Sequence, residues 1–148
     1  MKKGLKLLAL LLWMALIFYL SAQPADDSTI TTNLLIDFLY NIYKFIFTNK
    51  AIEYSIFVEN VFAPIRKLAH FSEFMVLGIL FYVNINKDGK KHIVIALALS
   101  CIYAISDEIH QLYVPGRYCA ITDMIIDTCG AAFGIFLTSF INERWKKD

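Results

Sequence analysis

The sequence predicts an all-α protein: a four-helix transmembrane bundle with an amphipathic, interfacial helical segment between its first and second helices. Two observations support this fold class. Hydrophobic residues make up 58% of the chain and charged residues 18%, whereas soluble domains have roughly 45–50% and 25%. The apolar residues also form four stretches that can each reach about 20 residues, the length that crosses a bilayer as a helix.

Length and charge narrow the possible functions. A chain of 148 residues has the length of one domain, so we treat residues 1–148 as a single integral membrane domain. The formal net charge of +1 offers no basic surface for nucleic acid, and no nucleic-acid partner is expected. The cysteines, at positions 101, 119 and 129, have no metal-ligand spacing, and their odd number argues against a disulfide framework.

The four spans are predicted over residues 5–22, 68–86, 92–114 and 121–141. The first is unbroken from Leu7 to Leu20, and its exit offers no good pair of small residues at the usual offsets of a cleavage site. We therefore expect a retained helix, the alternative being a cleaved signal peptide. The third has a clean apolar part of only 13 residues, a length that also fits a buried soluble helix. It crosses fully only if the helix continues to Val114, before Pro115 and Gly116.

The segment between the first two spans has the pattern of an amphipathic helix. From Ile30 to Phe47, apolar residues recur at steps of three and four, and a shorter pattern follows from Ile52 to Phe62. Such steps place the apolar side chains on one helix face. We predict one or two amphipathic helices in the outer membrane interface, with packing against the bundle as the alternative.

Basic residues predict the orientation of the chain. In a four-span topology, three groups of basic residues lie on the same side of the membrane: Lys2, Lys3 and Lys6; Lys87, Lys90 and Lys91; and Arg144, Lys146 and Lys147. Lysine and arginine in short loops favour the cytoplasmic side. The sequence therefore predicts a multi-pass protein of the cell membrane with both termini in the cytoplasm, and segments 21–66 and 115–120 outside.

Ionisable residues inside the spans indicate the working part of the molecule, because such groups are costly at membrane depth and usually face a cavity or one another. Three helices each carry a set on one face: Arg66, His70 and Glu73; Asp107, His110 and Gln111; and Asp123 and Asp127. The predicted topology places all of them in the outer half of the bundle. Asp123 also fits a simple acidic cap in a first turn, and Gly130 with Gly134 permits close helix packing within the bundle.

The charges of the second and third helices complement each other. If the second helix begins near Arg66, then Arg66 and Lys67 lie at the positive end of its dipole. Asp107 and Glu108 lie near the negative end of the third helix. Each pair interacts unfavourably with the dipole of its own helix, by roughly 0.3–1 kcal/mol. We therefore expect a cluster in which the two oppositely charged pairs contact each other. The other expected members are Arg117 and Asp123.

Three separated motifs follow one another across residues 64–134. They are Arg66-Lys67-x-x-His70-Phe71-x-Glu73-Phe74, then Ser106-Asp107-Glu108-Ile109-His110-Gln111, then Val114-Pro115-Gly116-Arg117, followed by Asp123 and Gly130-Ala131. In this order they resemble the VanZ family of small bacterial membrane proteins. The resemblance implies an integral membrane protein of the cell envelope, and the founding member is associated with resistance to the glycopeptide teicoplanin. This chain departs from the family at Asp127, where asparagine is common, and at Tyr118-Cys119, where smaller residues are common.

The first function that fits these residues is binding. Two or more cationic side chains near the outer interface suit a phosphate or carboxylate, and lipid-linked peptidoglycan precursors in the bilayer offer both. A protein that binds or shields such a precursor would reduce glycopeptide access. The residues expected to contact the ligand are Arg66, Lys67, Gln111 and Arg117.

Two other functions stay open. A membrane-embedded hydrolase or transferase would use acid–base groups, and the candidate catalytic residues are His70, Glu73, Asp107, Glu108 and Asp123. No nucleophile motif is present in the sequence, and we expect no cofactor and no metal, although His70 and Glu73 with a group of the third helix have ligand chemistry. In the third reading, the ionic cluster only determines helix register.

Overall fold

A computed structural model describes residues 3–47, 52–85 and 91–145 of the chain, except for the side chains of 25–32 and 145. The described residues form five helices: α1 (Lys3–Ser21), α2 (Ala25–Ile46), α3 (Tyr54–Asn84), α4 (Lys91–Gln111) and α5 (Ile121–Trp145). No strand occurs within these ranges. The predicted all-α class is therefore confirmed.

Three helices of the described chain, α1, α4 and α5, are long and apolar enough to cross a membrane, so the predicted number of four is wrong by this measure. The difference is the predicted span 68–86, which forms the C-terminal part of the 31-residue α3. This helix carries Arg66, Lys67 and Glu73, which lower its hydropathy. It contacts each of the other four helices, and ionisable groups in a membrane helix usually face protein or a cavity rather than lipid.

The other helix boundaries differ from the predicted spans by a few residues. The predicted span 92–114 is too long, because α4 ends at Gln111 and the chain then turns. In this turn the Val114 amide bonds the Gln111 carbonyl and the Arg117 amide bonds the Val114 carbonyl. Gly116 has a φ of 75°, a conformation that glycine adopts readily, and it lets the chain reverse into α5. The remaining helices exceed or match their predicted spans closely.

Side-chain hydrogen bonds establish the direction of α1 relative to its neighbours. The Asn84 amide donates to the Lys6 carbonyl at 3.0 Å, and the Trp13 indole donates to the Glu73 carbonyl at 3.0 Å. Residue numbers therefore rise in α1 as they fall in α3, which makes the two helices antiparallel. The Tyr103 hydroxyl donates to the Met14 carbonyl at 2.7 Å. Together with a bond between Ser21 and Asp107, this makes α1 and α4 parallel.

The contact between α3 and α5 depends on glycines. A Cβ atom added at any of three positions would lie closer than 3.0 Å to a carbonyl oxygen of the facing helix: Ala131 for Gly78, Phe71 for Gly130 and Met75 for Gly134. Since such distances do not occur for real Cβ atoms, only glycine allows this approach. The prediction that Gly130 and Gly134 permit close packing within the bundle is confirmed.

The bundle has two chemically different ends. The described basic residues of the orientation pattern, Lys3, Lys6, Lys91 and Arg144, lie at the end where α1 and α4 begin and α3 and α5 finish. The rest of that pattern, Lys2, Lys87, Lys90, Lys146 and Lys147, lies outside the described residues, as does Asn86 of the second predicted span. The opposite end contains the end of α1, the end of α4 and the start of α5.

The predicted helix between the first two spans is confirmed as α2, and it packs on the first half of α3, which agrees with the alternative of packing against the bundle. Ile36 is fully buried, and the Tyr40 ring lies 5.0 Å from Tyr54 and 5.2 Å from Phe57, between ring centroids. A second apolar row on α2 stays exposed: Leu34, Leu35, Phe38, Ile42 and Ile46. The shorter pattern at 52–62 does not form a separate helix, because α3 continues from it through Pro64 into the predicted span.

Candidate functional site

The antiparallel packing of the bundle brings the predicted site residues to one end. The second and third motifs lie at the end of α4 and in the loop 112–120, and Asp123 lies in the first turn of α5. The first motif lies in the middle of α3, beside the end of α1. Residues far apart in sequence thus lie close to one another because the helices alternate in direction.

A pocket of about 270 Å³ opens at this end, between α1, α2, α3 and the loop 112–120. Four predicted site residues line it: Arg66, His70, Glu73 and Arg117. Apolar side chains also line it, among them Leu20, Leu35, Phe62 and Ile65. The pocket therefore combines two guanidinium groups, an imidazole and a carboxyl with hydrophobic side chains.

Arg117 is held in place by the end of α1. Its Nε donates to the Gln23 carbonyl at 2.9 Å, and its Nη2 donates to the Leu20 carbonyl at 3.2 Å. The last carbonyls of a helix lack intrahelical donors and carry partial negative charge, so a guanidinium stabilises them. These two bonds use part of the five donors of the side chain.

The two pocket arginines repel each other. Burial lowers the pKa of Arg117, and the positive charge of Arg66 lowers it further, while Asp107, Glu73 and Glu108 raise it. An arginine stays protonated in spite of such shifts. Because both guanidinium groups face one pocket, an anion between them would remove an unfavourable interaction.

Lys67 and Arg66 have different surroundings although they are neighbours in the sequence. Lys67 is exposed and does not line the pocket. The prediction that both lie at the positive end of a helix dipole is wrong, because α3 begins at Tyr54, about three turns earlier. Among the described residues, no ion pair joins Arg66 or Lys67 to Asp107 or Glu108. The expected four-residue ionic cluster is therefore replaced by separate interactions.

Asp107 is bound by neutral donors. Its Oδ2 accepts a hydrogen bond from the Ser21 hydroxyl at 2.8 Å and another from the Gln111 amide at 3.0 Å. All three side chains are buried, and the bonds connect the end of α1 to α4. Gln111, a predicted ligand-binding residue, thus uses its amide nitrogen on Asp107 and does not line the pocket.

Glu108 and Asp123 lie at the start of α5. The Glu108 Oε2 accepts a hydrogen bond from the Ala120 amide at 2.8 Å, and the Cys119 thiol also interacts with this carboxyl group. Asp123 occupies the first turn and accepts a bond from Thr122 at 3.3 Å. Negative groups stabilise the start of a helix, so the geometry of Asp123 agrees with the simpler capping role.

His70 and Asp127 form a contact that the predicted site residues did not include. The His70 Nδ1 lies 3.6 Å from the Asp127 Oδ1, and the Asp127 side chain is fully buried. Neither of its oxygens accepts a hydrogen bond from a described residue. The sequence contained two signals for Asp127: it stands where asparagine is common in the family, and it lies four residues after Asp123, too deep in the helix to act as a cap.

The arrangement supports anion binding and proton transfer. Guanidinium groups bind phosphate and carboxylate oxygens, and a histidine with a carboxylate behind it can hold or release a proton. In the part of the chain that the structure describes, no group of three or more His, Cys, Asp or Glu side chains is placed to hold a metal ion.

Replacing Ser21 with alanine should reduce stability by about 1–3 kcal/mol, because Asp107 would keep a buried carboxylate with one donor fewer. The matched control is Ser106→Ala, since Ser106 is exposed and bonds only to the Tyr103 carbonyl of its own helix. Thermal unfolding of the purified protein in detergent measures both. Equal midpoints for the two variants would contradict the Ser21–Asp107 bond.

Comparison with known proteins agrees with the order of the motifs. The profile of the VanZ/LLP1 family matches residues 6–142, which include every residue of the pocket. No curated protein and no solved structure matches the chain. Since the match extends from α1 to the last turns of α5 and helices able to cross a membrane accompany it, the chain is a VanZ-like membrane protein and belongs to the VanZ/LLP1 family.

Proposed function

We propose that this protein binds the anionic headgroup of a membrane lipid at the outer surface of the bacterial cell membrane. The observation that carries the proposal is the pocket lined by Arg66 and Arg117 together with apolar side chains. A lipid headgroup offers the same combination, since its phosphate needs cationic donors while its hydrocarbon chain needs an apolar surface. Release of the repulsion between the two arginines adds to the binding free energy.

The orientation follows from charge. We place the basic end of the bundle, with Lys3, Lys6, Lys91 and Arg144, in the cytoplasm, and the pocket therefore outside. In this arrangement α3 is the fourth membrane crossing, in contact with each of the other helices, and both termini are cytoplasmic. The exposed apolar row of α2 then contacts the outer leaflet beside the pocket, because Leu35 belongs to both.

A lipid-linked peptidoglycan precursor is the ligand that best connects this site with the family. Such a precursor carries phosphate groups, a carboxylate-bearing peptide and a long hydrocarbon tail. A protein that holds its headgroup would reduce the access of teicoplanin to it. Support for this part comes from the chemistry of the pocket together with the phenotype associated with the founding member of the family.

Native mass spectrometry of the purified protein with the lipid-linked precursor tests the proposal. The wild type should retain the precursor, and Arg66→Ala should weaken binding about 10- to 150-fold, because hydrogen bonds between charged groups contribute about 1.5–3 kcal/mol. Lys67→Ala removes the same charge one residue away but outside the pocket. It should change the affinity less than about fivefold. Equal losses in both variants, or no retained precursor, would contradict a binding site in the pocket.

The second candidate function is an enzyme, and the His70–Asp127 contact favours it. A carboxylate behind a histidine can orient the ring as an acid or base, and Glu73 lies beside it in the pocket. The same experiment distinguishes the two functions. A change in the mass of the precursor that disappears in Glu73→Gln and His70→Ala would identify a hydrolase or transferase, whereas an unchanged retained precursor supports binding.

A further inference from the structure

The contact between His70 and Asp127 gives the pocket a property beyond anion binding. We infer that the pocket binds the phosphate ester of its lipid together with a proton on His70, which then acts as a third cationic donor beside Arg66 and Arg117. This inference rests on the proposed function, since it concerns the same pocket. It adds the ligand group, a phosphate ester, and a dependence of affinity on pH.

The geometry of His70 is that of a residue between a buried acid and an open cavity. Its Nδ1 edge faces Asp127 on α5, and the residue also lines the pocket. The two ring nitrogens point in different directions, so a protonated ring can donate to Asp127 and to a ligand at once. Neutral imidazole has only one N–H and cannot do both.

Asp127 provides the counter-charge for this proton. Its carboxylate is fully buried, and neither oxygen has a hydrogen-bond donor among the described residues. A carboxylate in that position is costly without a partner. The present 3.6 Å separation from the His70 Nδ1 is a few tenths of an ångström longer than a hydrogen bond. A small approach of the protonated ring would therefore form a charge-assisted bond.

The other charges around His70 make its protonation depend on the ligand. Charged residues near His70 lie on three helices and one loop: Arg66 and Glu73 on α3, Arg117 in the loop 112–120, Asp107 on α4, and Asp123 and Asp127 on α5. The end of α1 contributes the neutral Ser21 and α2 the apolar Leu35 to the pocket. The two arginines oppose a positive charge on His70, and the carboxylates favour it. A bound phosphate compensates the arginines, so ligand and proton strengthen each other's binding.

Isothermal titration calorimetry tests this coupling directly. The probe is phosphatidylglycerol, added to the full chain in an uncharged detergent, because its phosphodiester keeps the same charge between about pH 6 and pH 8. Titrations in two buffers of different ionisation enthalpy report the number of protons taken up. We expect uptake that approaches about one proton per lipid, and binding about tenfold tighter at pH near 6.5 than near 8.

Variants assign the proton to its residue. His70→Gln should abolish the uptake, and Asp127→Asn should reduce it. The matched control is His110→Gln, because His110 lies at the same end of the bundle but stacks on Phe18, at 4.2 Å between ring centroids, outside the pocket lining. This variant should take up protons like the wild type. Uptake that survives in His70→Gln would overturn the inference.

The wild type alone can also overturn it, so the test does not depend on any variant folding. Phosphatidylglycerol that binds the wild type without proton uptake would refute the inference while the proposed function stands. Binding that tightens at high pH would refute it in favour of a neutral His70 base. Failure of phosphatidylglycerol to bind would refute it for this ester, and the lipid-linked precursor then tests the proposed function separately.

Discussion

Gly130→Ala is expected to destabilise the protein by about 1–3 kcal/mol or more, the usual effect of extra volume in a well-packed contact. The added Cβ would lie closer than 3.0 Å to the Phe71 carbonyl oxygen. That oxygen belongs to the backbone of α3 and cannot rotate away, so α5 must move. Because Asp127 lies one turn before Gly130, the same movement should separate it from His70. Thermal unfolding in detergent measures the first effect, and proton uptake on lipid binding measures the second.

The matched control is Gly4→Ala. A Cβ atom added at Gly4 has no other atom within 4 Å, and alanine favours helices more than glycine by up to about 1 kcal/mol. The control should therefore unfold at the same temperature as the wild type or slightly higher. If Gly130→Ala unfolded like the control, the close approach of α3 and α5 would be contradicted.

Asp127→Asn is expected to raise stability by about 1–2 kcal/mol, because it removes a buried carboxylate whose oxygens have no hydrogen-bond donors among the described residues. The gain should be larger at alkaline pH, where a carboxylate is fully ionised and His70 is neutral. A residue that lowers stability is often kept for function. We therefore expect the same variant to lose proton coupling while it gains stability.

Asp123→Asn is the control for this substitution. Asp123 lies in the first turn of α5, where a negative charge interacts favourably with the helix dipole. Its replacement should lower stability by about 0.3–1 kcal/mol. The same chemical change four residues apart thus has opposite expected signs. Two variants that both lose stability would show that Asp127 is satisfied by a partner.

Much of the fold could be predicted from local patterns. Apolar residues spaced three and four positions apart predicted α2, and the apolar run from Leu7 to Leu20 predicted α1, because each pattern lies within one helix. The glycine pair 130 and 134 predicted close packing for the same reason. These predictions depend on residues a few positions apart, for which helix geometry alone determines which side chains share a face.

The errors concern features that need more than one element. The sequence indicated a helix that begins near Arg66. The apolar pattern is interrupted between residues 62 and 68, and this interruption does not show whether the helix ends there or continues through Pro64. It also counted α3 as one of four apolar spans, although its charges lower its hydropathy below that of α1, α4 and α5. Whether such charges face lipid or protein depends on the neighbouring helices.

By itself, the sequence determined the helical class, the amphipathic α2, the family resemblance and the residue types available for anion binding. Only the tertiary structure decided how these residues are used. In it, Arg117 donates to a carbonyl at the end of α1, and Asp107 accepts hydrogen bonds from Ser21 and Gln111. Lys67 is exposed, and His70 contacts Asp127. The physical reason is that a side chain's partner across a helix contact depends on the direction, register and distance of two helices. No spacing within one helix contains that information.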